Sequence, residues 1–132
     1  DLGTKTIGVA VSDISRTIAT PVTVIKRKKF LDDLEKIKDL EKKYAFVGII
    51  LGLPINMNGT EGPRCQSTRS FATKLSQITN HFICLWDERL STLAAEKSLI
   101  SSDISRKSRT KIIDKIAACY ILQGFLDRLK NS

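Results

Sequence analysis

The chain has 132 residues and a mass of 14.7 kDa, enough for one domain spanning 1–132 and too little for a two-lobed architecture. Apolar residues make up 42% and charged residues 27%, the balance of a globular protein with a packed core, which excludes the disordered and fibrous classes. With 22 Lys and Arg against 14 Asp and Glu the net charge is +8, so nucleic acid leads the partner classes, although surplus lysine for solubility gives the same sum.

In chain order, a turn over residues 1–5 precedes a strand, Thr6 to Ser12, whose small residues suit close packing. A polar turn leads to a second strand, Thr17 to Ile25, in which Pro21 marks an edge or a bulge. Leu31, Leu34, Ile37, Leu40 and Tyr44 recur at helical spacing, so Phe30 to Tyr44 reads as an amphipathic helix. The apolar run Phe46 to Leu51 reads as a strand buried on both faces, closed by Gly52-Leu53-Pro54. Residues 55–63 are rich in Asn, Gly and Pro and form a loop, with Pro63 suited to the first turn of a helix over 64–79. Phe82 to Trp86 is a short strand ending at Asp87-Glu88-Arg89. Ser91 is a fair N-cap for a helix from Thr92 to Ile100. Residues 101–110 read as a mobile basic loop facing substrate, or a solvated linker, and Lys111 to Leu129 as the last helix. Strands in a meander followed by alternation with helices predict a mixed sheet flanked by helices.

No apolar run approaches the ~20 residues of a membrane-spanning helix, no secretory signal is recognisable, and the expected compartment is the cytoplasm, without a membrane partner. Cys65, Cys84 and Cys119 lack C-x-x-C spacing and are expected to be reduced. The lone His81 is expected at the surface rather than in a catalytic triad. Basic residues cluster at Lys26 to Lys29 and at Arg106, Lys107, Arg109, Lys111 and Lys115, runs that can neutralise phosphates; the first is more often a solvated strand end.

Acids stand out at three places. Asp1 precedes a Gly-Thr turn, Asp87 and Glu88 end a buried strand, and Asp114 falls in the first turn of the last helix. The i, i+4, i+7, i+11 spacing of Asp114, Ala118, Ile121 and Phe125 turns that acid toward the core, where a cation partner offsets its cost; a helix-dipole role in the first turn is the plainer reading. Carboxylates converging at one sheet edge suit Mg2+ or Mn2+, and one or two such ions suit phosphodiester hydrolysis.

Four blocks carry a resemblance: D-L-G-T-K-T-I-G-V-A at 1–10, G-L-P-I-N-M-N-G-T-E-G-P at 52–63, D-E-R-L-S-T at 87–92 and K-I-I-D-K-I-A-A at 111–118. In this order they resemble the YqgF family, described as pre-16S rRNA nucleases and as Holliday-junction-resolvase-like proteins. The resemblance implies a ribonuclease H-like α/β fold, a mixed five-stranded sheet with helices on both sides, and nuclease action in maturation of the 16S rRNA 5′ end. It makes Asp1, Glu88 and Asp114 the catalytic and metal-binding acids for Mg2+ or Mn2+, with Asp87 as an alternative neighbour. Lys5, Arg89, Arg106, Lys107 and Arg109 are the expected phosphate contacts. Structured RNA is the expected substrate, with branched DNA as alternative if the protein pairs as a homodimer rather than acting as a monomer; a non-catalytic nucleic-acid-binding factor is the third reading. Two departures are visible: the family has a hydrophobic strand before the first Asp, so the first strand is expected to be truncated here, and Asn58 stands where the family loop commonly has Asp.

Overall fold

The computed structural model describes residues 1–89 and 106–131, with backbone alone over 106–112. The helix expected from Thr92 to Ile100 and the loop residues 101–105 lie outside the described residues. In chain order the elements are β1 (Thr6–Ser12), β2 (Ala19–Lys26), α1 (Phe30–Tyr44), β3 (Gly48–Leu53), α2 (Pro63–Ile78), β4 (Phe82–Asp87) and α3 (Arg106–Lys130).

β1 and β2 form an antiparallel hairpin in which Thr6 faces Lys26 and Ser12 faces Ala19. The register slips between Val9, opposite Thr23, and Ala10, opposite Pro21, so the proline sits at a bulge where its missing N–H interrupts no ladder. β2 starts later than Thr17 because the Asp13 carboxylate captures the Thr17 and Ile18 amides at 2.7 and 3.0 Å, extending the turn. β3 and β4 pair in parallel from Gly48 opposite Phe82 to Leu53 opposite Asp87. α2 begins with Gly62 at the N-cap and Pro63 as its first residue, where a missing N–H costs nothing.

The mixed five-stranded sheet is not what the described residues form. They hold two sheets of two strands each, β1-β2 and β3-β4. The edge of β1 away from β2 is met by a single bridge, Leu2 to Ile7, with Asp1 and Gly8 exchanging backbone hydrogen bonds of 2.8 and 2.9 Å. That one rung leaves β1 and β3 without a ladder between them, and a mixed α/β architecture is what remains of the expectation.

Burial defines the layers. On one side Leu2, Ile7, Ile25, Leu51, Leu34 of α1, and Phe71 and Leu75 of α2 form the core, each large side chain contributing ~1.5–3 kcal/mol. On the other side α3 crosses both sheets: its Asp114 backbone lies over Gly8, Ile121 over Gly52, and Phe125 stacks edge-on against Trp86 at 5.7 Å. Alternation in β1 explains the division, since Ile7 points into the core and Gly8 presents a bare backbone to α3.

Helix α3 begins at Arg106, five residues earlier than Lys111, so residues 106–110 are helical rather than a loop. Asp114 therefore stands two turns into the helix. A macrodipole contribution decays within the first turn, which removes the capping role for this acid. The three cysteines are free, Cys65 buried and the others half-buried. His81 is not a plain surface residue: its side chain is 17% exposed, Nε2 lies 3.0 Å from Glu41, and its ring packs on Phe46.

Candidate active site

The parallel pair β3-β4 ends at Leu53 and Asp87, and the chain continues into Glu88, whose amide donates to the Leu53 carbonyl at 3.3 Å. This bond turns the Glu88 side chain over Gly52. A Cβ at position 52 would collide with Glu88 Oε2 and approach Ile121 Cδ1 to 2.7 Å, so only glycine admits the carboxylate between strand and helix. Burial pushes the Glu88 carboxyl above the ordinary range, aided by Asp87 and opposed by the positive charge of Arg64.

Asp114 reaches the same region from α3. Its carboxylate accepts from the Thr6 hydroxyl at 2.9 Å, tying the helix to the first residue of β1 across more than a hundred residues of sequence. Its backbone carbonyl rests on Gly8, where a Cβ would overlap the oxygen and come within 2.8 Å of the carbonyl carbon. The Asp1 nitrogen completes the grouping. It donates to the Gly8 carbonyl at 2.8 Å and lies close enough to the Glu88 and Asp114 carboxylates to feel both charges. Residue 1 ahead of β1, Glu88 after β4 and Asp114 of α3 are thus brought into one neighbourhood.

Asp87 and Arg89 behave differently from Glu88. They face each other, Arg89 Nη2 lying 2.7 Å from Asp87 Oδ2, and this pairing holds Asp87 below the usual carboxylate range. In this geometry the exposed acid and arginine are paired with each other. Lys5 is exposed in the turn before β1. Arg106, Lys107 and Arg109 occupy the first turn of α3, and nothing is described of their side chains.

The donor set offered by Asp1, Glu88 and Asp114 is all carboxylate oxygen, the chemistry a hard divalent cation prefers. Among the described residues no three acidic, histidine or cysteine side chains close tightly enough to enclose one. Thr6, Arg64, Gly8 and Gly52 support this region without having been singled out from the sequence. A glycine inside a strand pattern was the available signal for the last two; nothing local marks Thr6 or Arg64.

The loop over residues 54–62 carries the Asn58 substitution, and its geometry accounts for tolerance of it. Asn58 Oδ1 accepts from the Thr60 amide at 3.0 Å and the Thr60 hydroxyl at 2.6 Å, a role an aspartate oxygen fills equally, so the charge is lost and the acceptor kept. Gly59 follows with φ of 86°, a left-handed conformation that favours glycine.

Comparison with known proteins extends over the same span. Residues 1–128 match the profile of the family RuvX, described as Holliday junction resolvase. A candidate pre-16S rRNA nuclease of Ruegeria pomeroyi is 58% identical over 131 residues, covering 99% of this chain and 85% of that protein. Proteins of the same name from Paracoccus denitrificans and Cereibacter sphaeroides are 58% and 59% identical, each across 98% of this chain and 82% and 81% of their own lengths.

Proposed function

Because the chain belongs to the RuvX family, the YqgF family of its sequence blocks, we propose that it is a nuclease that hydrolyses phosphodiester bonds of pre-16S rRNA. The observation that carries this reading is the placing of Glu88 over Gly52, and of Asp114 over Gly8 and against Thr6, where α3 crosses the strands of a protein with net charge +8. Acids gathered in a basic protein repel a phosphate locally while the remainder of the surface attracts it, an arrangement that serves hydrolysis better than simple binding.

In this reading Asp1, Glu88 and Asp114 are the catalytic acids and would hold Mg2+ or Mn2+. When bound, such an ion offsets charge on the scissile phosphate and lowers the pKa of water. The chain's own residues prepare the site. Thr6 fixes the rotamer of Asp114 through its hydroxyl. The bare backbones of Gly8 and Gly52 let α3 and Glu88 approach the strand ends. Arg64, whose Nη2 is 3.5 Å from the Leu2 carbonyl, offsets the negative charge of Glu88. The ribonuclease H-like sheet arrangement belongs to the same proposal, as does action in the cytoplasm.

Incubating the protein with pre-16S rRNA fragments and Mn2+ or Mg2+ tests it. Cleavage is expected from the wild type and should be lost in Glu88→Gln and Asp114→Asn; cleavage surviving in both variants would end the assignment. The family description favours a second reading, resolution of four-way DNA junctions, which needs two active sites related by a twofold axis. A protein that remains monomeric with junction DNA in light scattering, and cuts only RNA, excludes it.

A further inference from the structure

Between the start of α1 and the outer face of α2 lies a cavity of about 450 Å3 whose walls include Arg27, Phe30, Ser67, Ser70, Phe71 and Lys74. None of these six residues belongs to the acid site, and Arg27 comes from the basic run read above as a solvated strand end. The two cations are seated on aromatic rings: Arg27 Cζ is 6.0 Å from the centre of Phe71, and Lys74 Nζ is 5.7 Å from that of Phe30. The rings themselves meet edge to face at 5.3 Å. A cation resting on a ring is held in place while its N–H groups stay available.

Donor accounting shows what remains unspent. Arg27 gives one N–H to the Gly3 carbonyl at 2.6 Å, and its Nε stands 4.0 Å from the buried carboxylate of Asp33, too far for a hydrogen bond. Asp33 offsets part of the Arg27 charge from behind, and the positive excess in the cavity is that of Lys74. Among the described residues, the Lys74 ammonium and the Ser67 and Ser70 hydroxyls have no hydrogen-bond acceptor, and all three residues are exposed. Ammonium, guanidinium and hydroxyl donors facing one cavity match the oxygens of a phosphate.

Position supplies the second half of the argument. Arg27 is bonded to Gly3, two residues from Asp1, and the cavity's Pro63 adjoins Arg64, which touches Leu2 and bears electrostatically on Glu88. From Pro63 to Lys74 the α2 face runs ~16 Å at 1.5 Å per residue, a track leading away from the acids. We propose that the α1–α2 cavity is a subsite for a backbone phosphate of the RNA strand, flanking the bond cut at the acid site; the proposal rests on the nuclease reading.

The test uses the full chain and a short fluorescein-labelled single-stranded RNA in EDTA, followed by anisotropy over a range of salt. Lys74 is the residue to change, because it is exposed and Arg27 also ties down the Gly3 turn. Lys74→Glu should weaken RNA binding about tenfold and reduce the salt slope by about 0.7, the value of one lost phosphate contact on a single strand, at unchanged melting temperature. Glu88→Gln, run beside it, should lose cleavage in metal while binding RNA in EDTA at least as tightly as wild type. Unchanged affinity and slope in Lys74→Glu, with wild-type cleavage intact, would overturn the subsite and leave the nuclease reading standing. If that variant lost binding of uridine monophosphate alone, the cavity would belong to a free nucleotide and the proposal would likewise fall. A wild type that neither binds nor cuts RNA would instead overturn the nuclease reading, and the subsite with it.

Discussion

Gly8 is the point where α3 is seated on β1, and Gly8→Ala tests that seating directly. The added methyl would overlap the Asp114 carbonyl oxygen and stand 2.8 Å from its carbon, whereas the Ala118 Cβ at 3.6 Å would be an ordinary neighbour. Carbon atoms pack at ~3.5–4 Å, so α3 must retreat by about 1 Å at this turn. The obstacle is backbone and cannot rotate away. Overpacking of this kind costs ~1–3 kcal/mol, and replacing a strand glycine returns ~0.5–1 kcal/mol, leaving a net loss of about 1–2 kcal/mol. For a chain of this length that lowers the melting temperature by ~3–8 °C in a thermal melt followed by circular dichroism. The same shift carries Asp114 away from Thr6 and the other acids, and a misplacement of about 1 Å can cost up to ~100-fold in rate. RNA cleavage should therefore fall much further than stability does. A variant that melts within about 1 °C of wild type and cuts RNA at full rate would show that α3 does not rest on Gly8.

Gly59→Ala provides the contrast: no atom lies within 4 Å of the added methyl, so only the left-handed backbone is penalised, at about 1 kcal/mol, with cleavage unchanged. Thr6→Val keeps the branched shape and removes the donor to Asp114; cleavage should drop about tenfold and recover in Thr6→Ser, and equal rates in all three proteins would deny Thr6 a positioning role. Asp13, held down to about 2 by the Ile18 and Thr17 amides and the Ser15 hydroxyl, lends the β1-β2 turn stability that is fully present above the unfolded value of 3.8. It is lost as pH falls through about 2, and amide exchange at Thr17 and Ile18 should accelerate over that interval in wild type and not in Asp13→Asn.

Local pattern determined much of this protein. The 15 residues of α1 are bounded as their apolar periodicity requires, α2 starts where Pro63 can begin a helix, and β4 departs by one residue from its apolar run. Pro21 marked an edge or a bulge, because a missing N–H is a local fact, and the register shift beside it is the bulge. The start of α3 was hidden, since Arg106 to Thr110 is polar and basic and carries no apolar stripe to mark a helix. The sequence also singled out Asp1, the Asp87-Glu88 pair and Asp114 as unusual acids, through their positions at a turn, a strand end and a core-facing stripe. Which elements would lie against one another was decided only in three dimensions. The Thr6 to Asp114 bond joins residues 108 apart, and the Gly52 backbone that admits Glu88 also receives Ile121 of a distant helix. The pairing of Arg89 with Asp87, two residues away, was open to sequence in distance but not in choice, because Glu88 lies equally near. The strand turns alternate side chains to opposite sides, and the packing of α3 over Gly52 settles which acid is taken inward and which is left to its arginine.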